Sequence, residues 1–217
     1  MDACASVGRD PRAVTLVAVT KTFPVSDIAS LAALGVTDIG ESRDQEVRAK
    51  VAELARIVPP LPITWHFVGT IQTNKCRSIA RYAHVVHSVD RPEVVAALDA
   101  GARPAGRDLD VFIQVSIDAD PARGGALTGD VVALADQIAA APQLSLLGVM
   151  AIAPLAADPD EAFARLAEIS AGLRAHHPGA DQISAGMSHD LEAAVRHGAT
   201  HVRLGTALLG RRAGNIG

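Results

Sequence analysis

Strand-like and helix-like segments alternate along almost the whole sequence. Helical patterns separate short apolar stretches, and several of them open on Ser, Asn or Asp and close on Gly, as helix caps favour. No linker or low-complexity stretch divides the 217 residues, so we expect a single domain over residues 1–217. The eight predicted strands are 14–21, 38–42, 63–69, 85–90, 110–118, 144–152, 182–187 and 201–205.

Eight strand–helix units in one α/β domain are typical of a single (β/α)8 TIM-type barrel, with an open doubly wound sheet as the main alternative. The alternative requires a glycine-rich phosphate loop after the first strand, where the sequence reads TKTFPVSD. The barrel is therefore favoured. Its eighth helix has the weakest support, because only TALLGRRAGNIG follows the last strand. We expect a short helix or the N-terminal residues to cover that side.

Charge and hydropathy narrow the class of protein. The chain has 20 Lys and Arg against 24 Asp and Glu, a net charge of −4, and no basic stripe interleaved with aromatic residues, so we expect no nucleic-acid partner. The N-terminus lacks the basic start and apolar run of a signal peptide, and no apolar run approaches membrane-spanning length. We expect a cytoplasmic protein without membrane contact.

The cysteines and histidines form no recognisable metal site. Cys4 and Cys76 are the only cysteines, and neither has a ligand spacing. The histidines lack the HExxH pattern of a zinc site. We therefore expect two free thiols and no metal.

Lys21 ends the first strand pattern, LVAVTK. In a barrel, catalytic groups lie at the C-terminal ends of the strands. A lysine that apolar neighbours partly desolvate there has its charged form disfavoured and becomes a nucleophile toward an aldehyde. The competing interpretation is an ion pair with Glu41 or Asp44.

The seventh and eighth strand patterns both end in small, hydroxyl-bearing turns. The first contains Gly186 and Ser188, and the second contains Gly205 and Thr206. Because barrels often bind phosphate with the loops after strands seven and eight, the two turns predict a phosphate site. Asp190 would repel a phosphate there unless its carboxylate faces away.

Arg203 lies inside the eighth strand pattern, two residues before Gly205. If its side chain points inward, it places a permanent charge in the barrel mouth, since an arginine is not expected to give up its proton. The alternative is a salt bridge to a carboxylate such as Glu41, and both arrangements could hold.

Five blocks of the sequence resemble one known family, the pyridoxal phosphate (PLP) homeostasis proteins. They read LVAVTKTFP, IGESRDQEV, WHFVGTIQTNK, GVMAIAP and SAGMSHDLEAAVRHGATHVRLGTALLG, in order from about residue 14 to residue 210. The resemblance implies a PLP-binding (β/α)8 barrel akin to the N-terminal domain of alanine racemase. It implies that Lys21 holds PLP as a Schiff base and that Arg203 faces the pyridine nitrogen. The implied phosphate ligands are Ser188 and Thr206 with the backbone of Met187 and Gly205.

The chain departs from the family pattern at three places. Ser42 stands where the family commonly has asparagine, so a side-chain contact to the cofactor would come from a hydroxyl. The turn after strand five reads Arg123-Gly124-Gly125 in place of a KSG-like sequence. About a dozen residues precede strand one, where the family usually has a full helix, so either the start codon is assigned too late or the barrel wall is thinner there.

Three functions compete: a PLP carrier without fast turnover, an amino-acid racemase, and a Schiff-base aldolase. Racemisation needs a second base, which alanine racemases take from another domain, and the only tyrosine here, Tyr82, lies in a helix pattern. An aldolase commonly carries its lysine on a middle strand beside an acid. We therefore expect a monomeric carrier with no catalytic residue and with apo PLP-dependent enzymes as candidate recipients. His66 is predicted either to touch the ring or to fill the barrel.

Overall fold

The computed structural model describes residues 2–57, 60–120 and 123–210. Eight parallel strands form a closed barrel, hydrogen-bonded in sequence order, and the last strand pairs with the first. The strands are β1 Thr15–Val19, β2 Asp38–Glu41, β3 Thr64–Phe67, β4 Val85–Val89, β5 Leu109–Gln114, β6 Leu144–Met150, β7 Gln182–Ser184 and β8 His201–Leu204. The predicted (β/α)8 barrel is confirmed.

Helices follow the strands and cover the outside of the barrel. Within the described residues they are α1 Asp2–Ala5, α2 Val25–Ala33, α3 Asp44–Leu54, α4 Cys76–Ile79, α5 Pro92–Ala102, α6 Val131–Ala139, α7 Pro159–His176, α8 Leu191–Arg196 and α9 Thr206–Leu209.

Local sequence explains several helix ends. Asp158 caps α7, accepting a hydrogen bond from the Asp160 amide at 2.9 Å, and Pro159 occupies the first turn. Gly35 follows α2 with a φ of 83°, the left-handed conformation that ends many helices. Helix α8 begins at Leu191 after the N-cap Asp190, three residues beyond Ser188, which the sequence SHDLEAAVRHG offers as an earlier capping residue.

The core lies between the barrel and its helices, where aliphatic side chains dominate. All five residues of β4 are buried, as expected for a strand covered on both faces. A second apolar cluster consists of Val85, Phe112 and Met150. Strands β6 and β7 approach closely at Gly148, where a Cβ atom would lie 1.9 Å from the Gln182 carbonyl oxygen.

The N-terminal residues and the short helix α9 both lie beside the last strands, as expected. Ala3 and Cys4 are buried. The Arg9 Nη1 group donates to the carbonyl oxygens of Val195 at 2.9 Å and Ala199 at 2.7 Å. The N-terminal segment therefore packs against α8, next to the side where only the short helix α9 follows the last strand.

Among the described residues, no helix combines the length and apolar character needed to cross a membrane. Cys4 and Cys76 are both buried and unpaired. The described part of the chain also brings together no group of three or more His, Cys, Asp or Glu side chains that could hold a metal ion.

Candidate functional site

The carboxyl ends of the strands bring most of the predicted site residues to one end of the barrel. Lys21 follows β1 by two residues, Ser42 follows β2 directly, Gly186 follows β7 by two residues and Gly205 follows β8 directly. Since parallel strands in a barrel all end at the same face, these positions share the barrel mouth.

Lys21 is exposed, so the expected desolvation of its amine is wrong. The reason is that β1 ends at Val19, and Lys21 lies in a turn closed by the Phe23 amide donating to the Thr20 carbonyl at 2.9 Å. Neither carboxylate proposed as its ion-pair partner contacts it: Glu41 accepts from Lys50 at 2.6 Å, and Asp44 accepts from Ser78 at 2.7 Å.

A cluster of polar side chains contacts the backbone of this turn at Thr20. The Lys50 Nζ atom donates to the Thr20 carbonyl oxygen at 2.8 Å and lies 2.6 Å from Glu41 Oε1 and 2.7 Å from Glu46 Oε1. The Thr20 hydroxyl also donates to Glu41 at 2.6 Å. We call Thr20, Glu41, Glu46 and Lys50 the Lys50 cluster. Burial raises the pKa of Glu41, although the hydrogen bonds from Lys50 and Thr20 oppose this effect.

Thr22 connects the Lys50 cluster to the lysine turn. Its amide donates to Glu46 Oε1 at 2.5 Å. Its φ is 69°, a left-handed conformation that is rare for a β-branched residue. The carboxylate of Glu46 therefore holds a strained backbone directly after Lys21, as is common beside functional groups.

The turns after β7 and β8 contact each other. The Ser188 Oγ atom accepts a hydrogen bond from the Ala207 amide at 3.2 Å. Gly186 has a φ of 91°, and a Cβ atom there would lie 2.6 Å from the Ala194 Cβ. A Cβ on Gly205 would lie 3.3 Å from the Val19 carbonyl oxygen. Both glycines therefore let backbone segments approach closely at this edge of the mouth.

The backbone amides in the turns after β7 and β8 differ in whether a group of the protein already accepts their hydrogen bond. The Met187 amide donates to Asp190 Oδ1 at 2.5 Å, so this predicted phosphate donor already has a partner. The amides of Ser188 and Thr206 donate to no other group in the part of the chain that the structure describes. Asp190 thus turns its carboxylate to the backbone of its own turn.

Arg203 points into the barrel and is 5% exposed. Its Nη1 group donates to the Ser184 hydroxyl at 2.7 Å and its Nη2 group to the Ala151 carbonyl at 2.9 Å. Burial lowers the pKa of Arg203 to about 10, with Asp190 acting in the opposite direction. The side chain remains charged at neutral pH and does not pair with Glu41.

Ser42 lies in the loop after β2, whereas His66 lies inside the barrel. Ser42 is half-buried, and its carbonyl oxygen would lie 2.3 Å from a Cβ atom on Gly69, so the β2 and β3 loops touch there. His66 is 2% exposed and lies inside the barrel, where its Nε2 atom is 3.0 Å from Asp38 Oδ1 and its Nδ1 atom is 2.9 Å from His87 Nε2.

Sequence reasoning missed the interior partners Asp38, His87 and Ser184. A signal was present, because His87 interrupts the apolar strand VVHSV and Ser184 closes the short strand QIS. Which strand each of them faces depends on the register of the closed barrel, which the sequence pattern does not contain.

Known proteins similar to this chain include pyridoxal phosphate homeostasis proteins. Residues 7–213 match the family described as alanine racemase, N-terminal domain. The pyridoxal phosphate homeostasis proteins of Mycobacterium tuberculosis and Pseudomonas aeruginosa are 45% and 44% identical, over 97% of this chain and 87% and 90% of their own lengths. The structure of PipY from Synechococcus elongatus with PLP bound is 34% identical, with a TM-score of 0.84, and the match covers 96% of this chain and 99% of that one. The chain therefore belongs to the alanine racemase N-terminal-domain family, in which its curated relatives are pyridoxal phosphate homeostasis proteins.

Proposed function

We propose that the protein binds PLP through a Schiff base to Lys21 and acts in PLP homeostasis as a carrier, without fast turnover of an amino acid. The observation that carries the proposal is the meeting, at one barrel mouth, of an exposed lysine, two joined glycine-containing turns and a buried arginine. The names of the relatives and the PLP in the PipY structure support the same function.

The groups at the mouth fit this cofactor. The exposed amine of Lys21 can condense with an aldehyde and release one water molecule. The amides and hydroxyls of Ser188 and Thr206, with the close approach at Gly186 and Gly205, offer donors to a phosphate. The Met187 backbone is the least available donor, because Asp190 already accepts from its amide. When bound, PLP supplies an aldehyde and an electron sink for carbanion chemistry.

Arg203 and Ser42 have the remaining proposed roles. Two N–H groups of Arg203 are engaged in the barrel, and the guanidinium carries five in total. An N–H that faces the pyridine nitrogen keeps that nitrogen an unprotonated acceptor, which weakens the ring as an electron sink. The Ser42 hydroxyl replaces the amide that the family commonly places beside the cofactor.

Fast racemisation would require a second base, and Tyr82 is badly placed to be one. It is 5% exposed and lines a cleft with Leu54 and Trp65 outside the barrel. Burial is also the largest cause of the raised pKa of Tyr82. This placement supports a carrier over the racemase alternative.

Further proposals concern the oligomeric state, the cellular location and the partners of the protein. We propose a single-domain, cytoplasmic monomer that passes PLP to apo PLP-dependent enzymes. In support, exposed apolar side chains follow strands β5 to β8 and surround this side of the mouth, as a surface for a protein partner would require. They are Leu127, Ile152, Leu155, Met187 and Leu208.

Exchange of the α-proton of L-alanine in deuterated water, followed by NMR with PLP-loaded protein, tests the carrier role. We expect exchange far below the roughly 1–10³ s⁻¹ of ordinary enzymes, together with reactivation of an apo PLP enzyme mixed with the loaded protein. Exchange within that range, or no reactivation by protein that has taken up PLP, would contradict the carrier role.

A further inference from the structure

A row of polar side chains crosses the interior of the barrel and ends on Arg203. Asp38 Oδ1 lies 3.0 Å from His66 Nε2, and His66 Nδ1 lies 2.9 Å from His87 Nε2. His87 Nδ1 lies 2.8 Å from Ser184 Oγ, which accepts from Arg203 Nη1 at 2.7 Å. We call these five residues the Asp38–Arg203 network.

The Asp38 carboxylate, which can only accept, fixes the direction of the hydrogen bonds between neutral imidazoles in the network. His66 donates to it from Nε2 and therefore accepts at Nδ1 from the Nε2 proton of His87. His87 Nδ1 is then an acceptor, so the Ser184 hydroxyl donates to it while accepting from the Arg203 guanidinium. In this arrangement, one additional proton on His66 would place two donors face to face between the imidazoles.

The network also runs from one end of the barrel toward the other. Asp38 is the first residue of β2 and its side chain is 29% exposed, whereas His66, His87 and Ser184 are buried. Arg203 lies near the carboxyl end of β8, toward the mouth. The interior charge of the arginine is thereby linked through a row of hydrogen-bonded groups to a carboxylate at the opposite end.

The surroundings favour a neutral imidazole at His87. Burial is the largest cause that lowers the pKa of His87, with His66, Arg203 and His201 adding to it. The ring of Phe112 stacks on His87 with centroids 4.8 Å apart. The titratable or charged groups around His66 and His87 are Asp38 on β2, His84 before β4, Asp110 on β5, and His201 and Arg203 on β8.

We propose that Asp38, His66, His87 and Ser184 are positioning residues that orient the Arg203 guanidinium toward the pyridine nitrogen of PLP and balance its charge. This inference rests on the proposed function. Because arginine is held by a hydroxyl whose own proton is committed to His87, its remaining N–H groups have a fixed direction. The carboxylate of Asp38 lowers the positive potential at the ring through the same row of hydrogen bonds.

Nitrogen NMR of the protein with ¹⁵N-labelled histidine, without PLP, tests the network itself. Signals are assigned by their loss in His66→Phe and His87→Phe. We expect both rings to be neutral around pH 7 and protonated at Nε2. A charged ring, or a proton on Nδ1, at either position overturns the proposal.

The visible absorbance of PLP-loaded protein across pH tests the effect on the cofactor. Asp38→Asn removes the charge and Ser184→Ala removes the acceptor of Arg203, so both leave more positive potential at the ring. A positively charged, protonated Schiff base is then disfavoured, and the pH midpoint of its band should fall by on the order of half a unit. His201→Asn is the matched control, since His201 lies beside both rings but outside the network.

The outcomes separate the two proposals. Normal PLP uptake with lowered midpoints in Asp38→Asn and Ser184→Ala, and an unchanged midpoint in His201→Asn, supports the positioning role. Normal uptake with unchanged midpoints in both network variants, or an equal fall in His201→Asn, overturns the positioning role and leaves the proposed function intact. Failure of the unaltered protein to take up PLP overturns the proposed function, and the positioning role with it.

Discussion

At the residue scale, the proposed site assigns covalent attachment and phosphate binding to different residues at the barrel mouth. Lys21 stands on the β1 turn, whereas Ser188 and Thr206 stand on the turns after β7 and β8. Ser188 also joins these two turns by accepting from the Ala207 amide. The two tasks therefore belong to different residues and can be tested separately.

Replacing both Ser188 and Thr206 with alanine should weaken PLP binding strongly. In the proposed site each hydroxyl donates to a charged phosphate, an interaction of about 1.5–3 kcal/mol, and the variant keeps only the backbone amides. Titration with PLP and with pyridoxal, which lacks the phosphate, measures the effect. Pyridoxal should bind almost as it does to the unaltered protein, and an equal loss for both ligands would mean that the residues act through folding.

At the element scale, the β1 turn depends on groups supplied by β2 and α3. Glu41 comes from β2, and Glu46 and Lys50 come from α3. Lys50 is 6% exposed and bridges two carboxylates while binding the Thr20 carbonyl. The position of the Lys21 turn is therefore set by contacts between elements as well as by its own sequence.

Replacing Lys50 with methionine should destabilise the fold by about 3–5 kcal/mol, because Glu41 loses its buried partner. PLP uptake should also weaken in the protein that remains folded, since the turn loses its support at Thr20. Lys75→Met is the control, because Lys75 is exposed and its change should stay within about 0.5 kcal/mol. Equal urea midpoints for the two variants would contradict this account.

The strand bounds show how much of the fold could be predicted from the sequence. The barrel could be predicted, since its strands are apolar stretches between capped helices, and seven of them fall within the predicted ranges. The exception is β5, which begins at Leu109, one residue before its range. Strand one was predicted to run to Lys21, but the left-handed Thr22 turns the chain away after Val19.

The site could be predicted only in part. The strand-end positions of Lys21 and the two glycine turns follow from patterns along single strands, whereas the sequence left the inward direction of Arg203 open. The Lys50 cluster and the Asp38–Arg203 network join residues from three or more elements. Their contacts depend on strand register and helix docking, which no local pattern specifies.

At the scale of the whole molecule, buried histidines make stability depend on pH. Burial is the largest cause that lowers the pKa of His201, from 6.5 to about 4. The folded protein therefore holds this ring neutral at a pH where the unfolded chain protonates it. Stability is complete above the unfolded value and declines as pH falls through this window, because the unfolded state binds more protons.

Urea unfolding should accordingly give a lower free energy at pH 5 than at pH 7. The His201→Asn variant removes one titrating ring, so its loss between the two pH values should be smaller than that of the unaltered protein. The remaining loss belongs to His87 and His84, whose pKa values are also lowered from that of a free histidine, whereas Asp38 titrates below this pH range. An identical loss in the variant would contradict the role of His201.

The central claim is that Lys21 carries the cofactor, and borohydride reduction of PLP-loaded protein followed by peptide mass mapping tests it most directly. The chain has three lysines, and they differ in setting: Lys21 is exposed at the mouth, Lys50 is buried between two carboxylates, and Lys75 is exposed at the start of α4. The account predicts a pyridoxyl group on the Lys21 peptide and none in the Lys21→Ala variant. A group found only on Lys50 or Lys75 would contradict it.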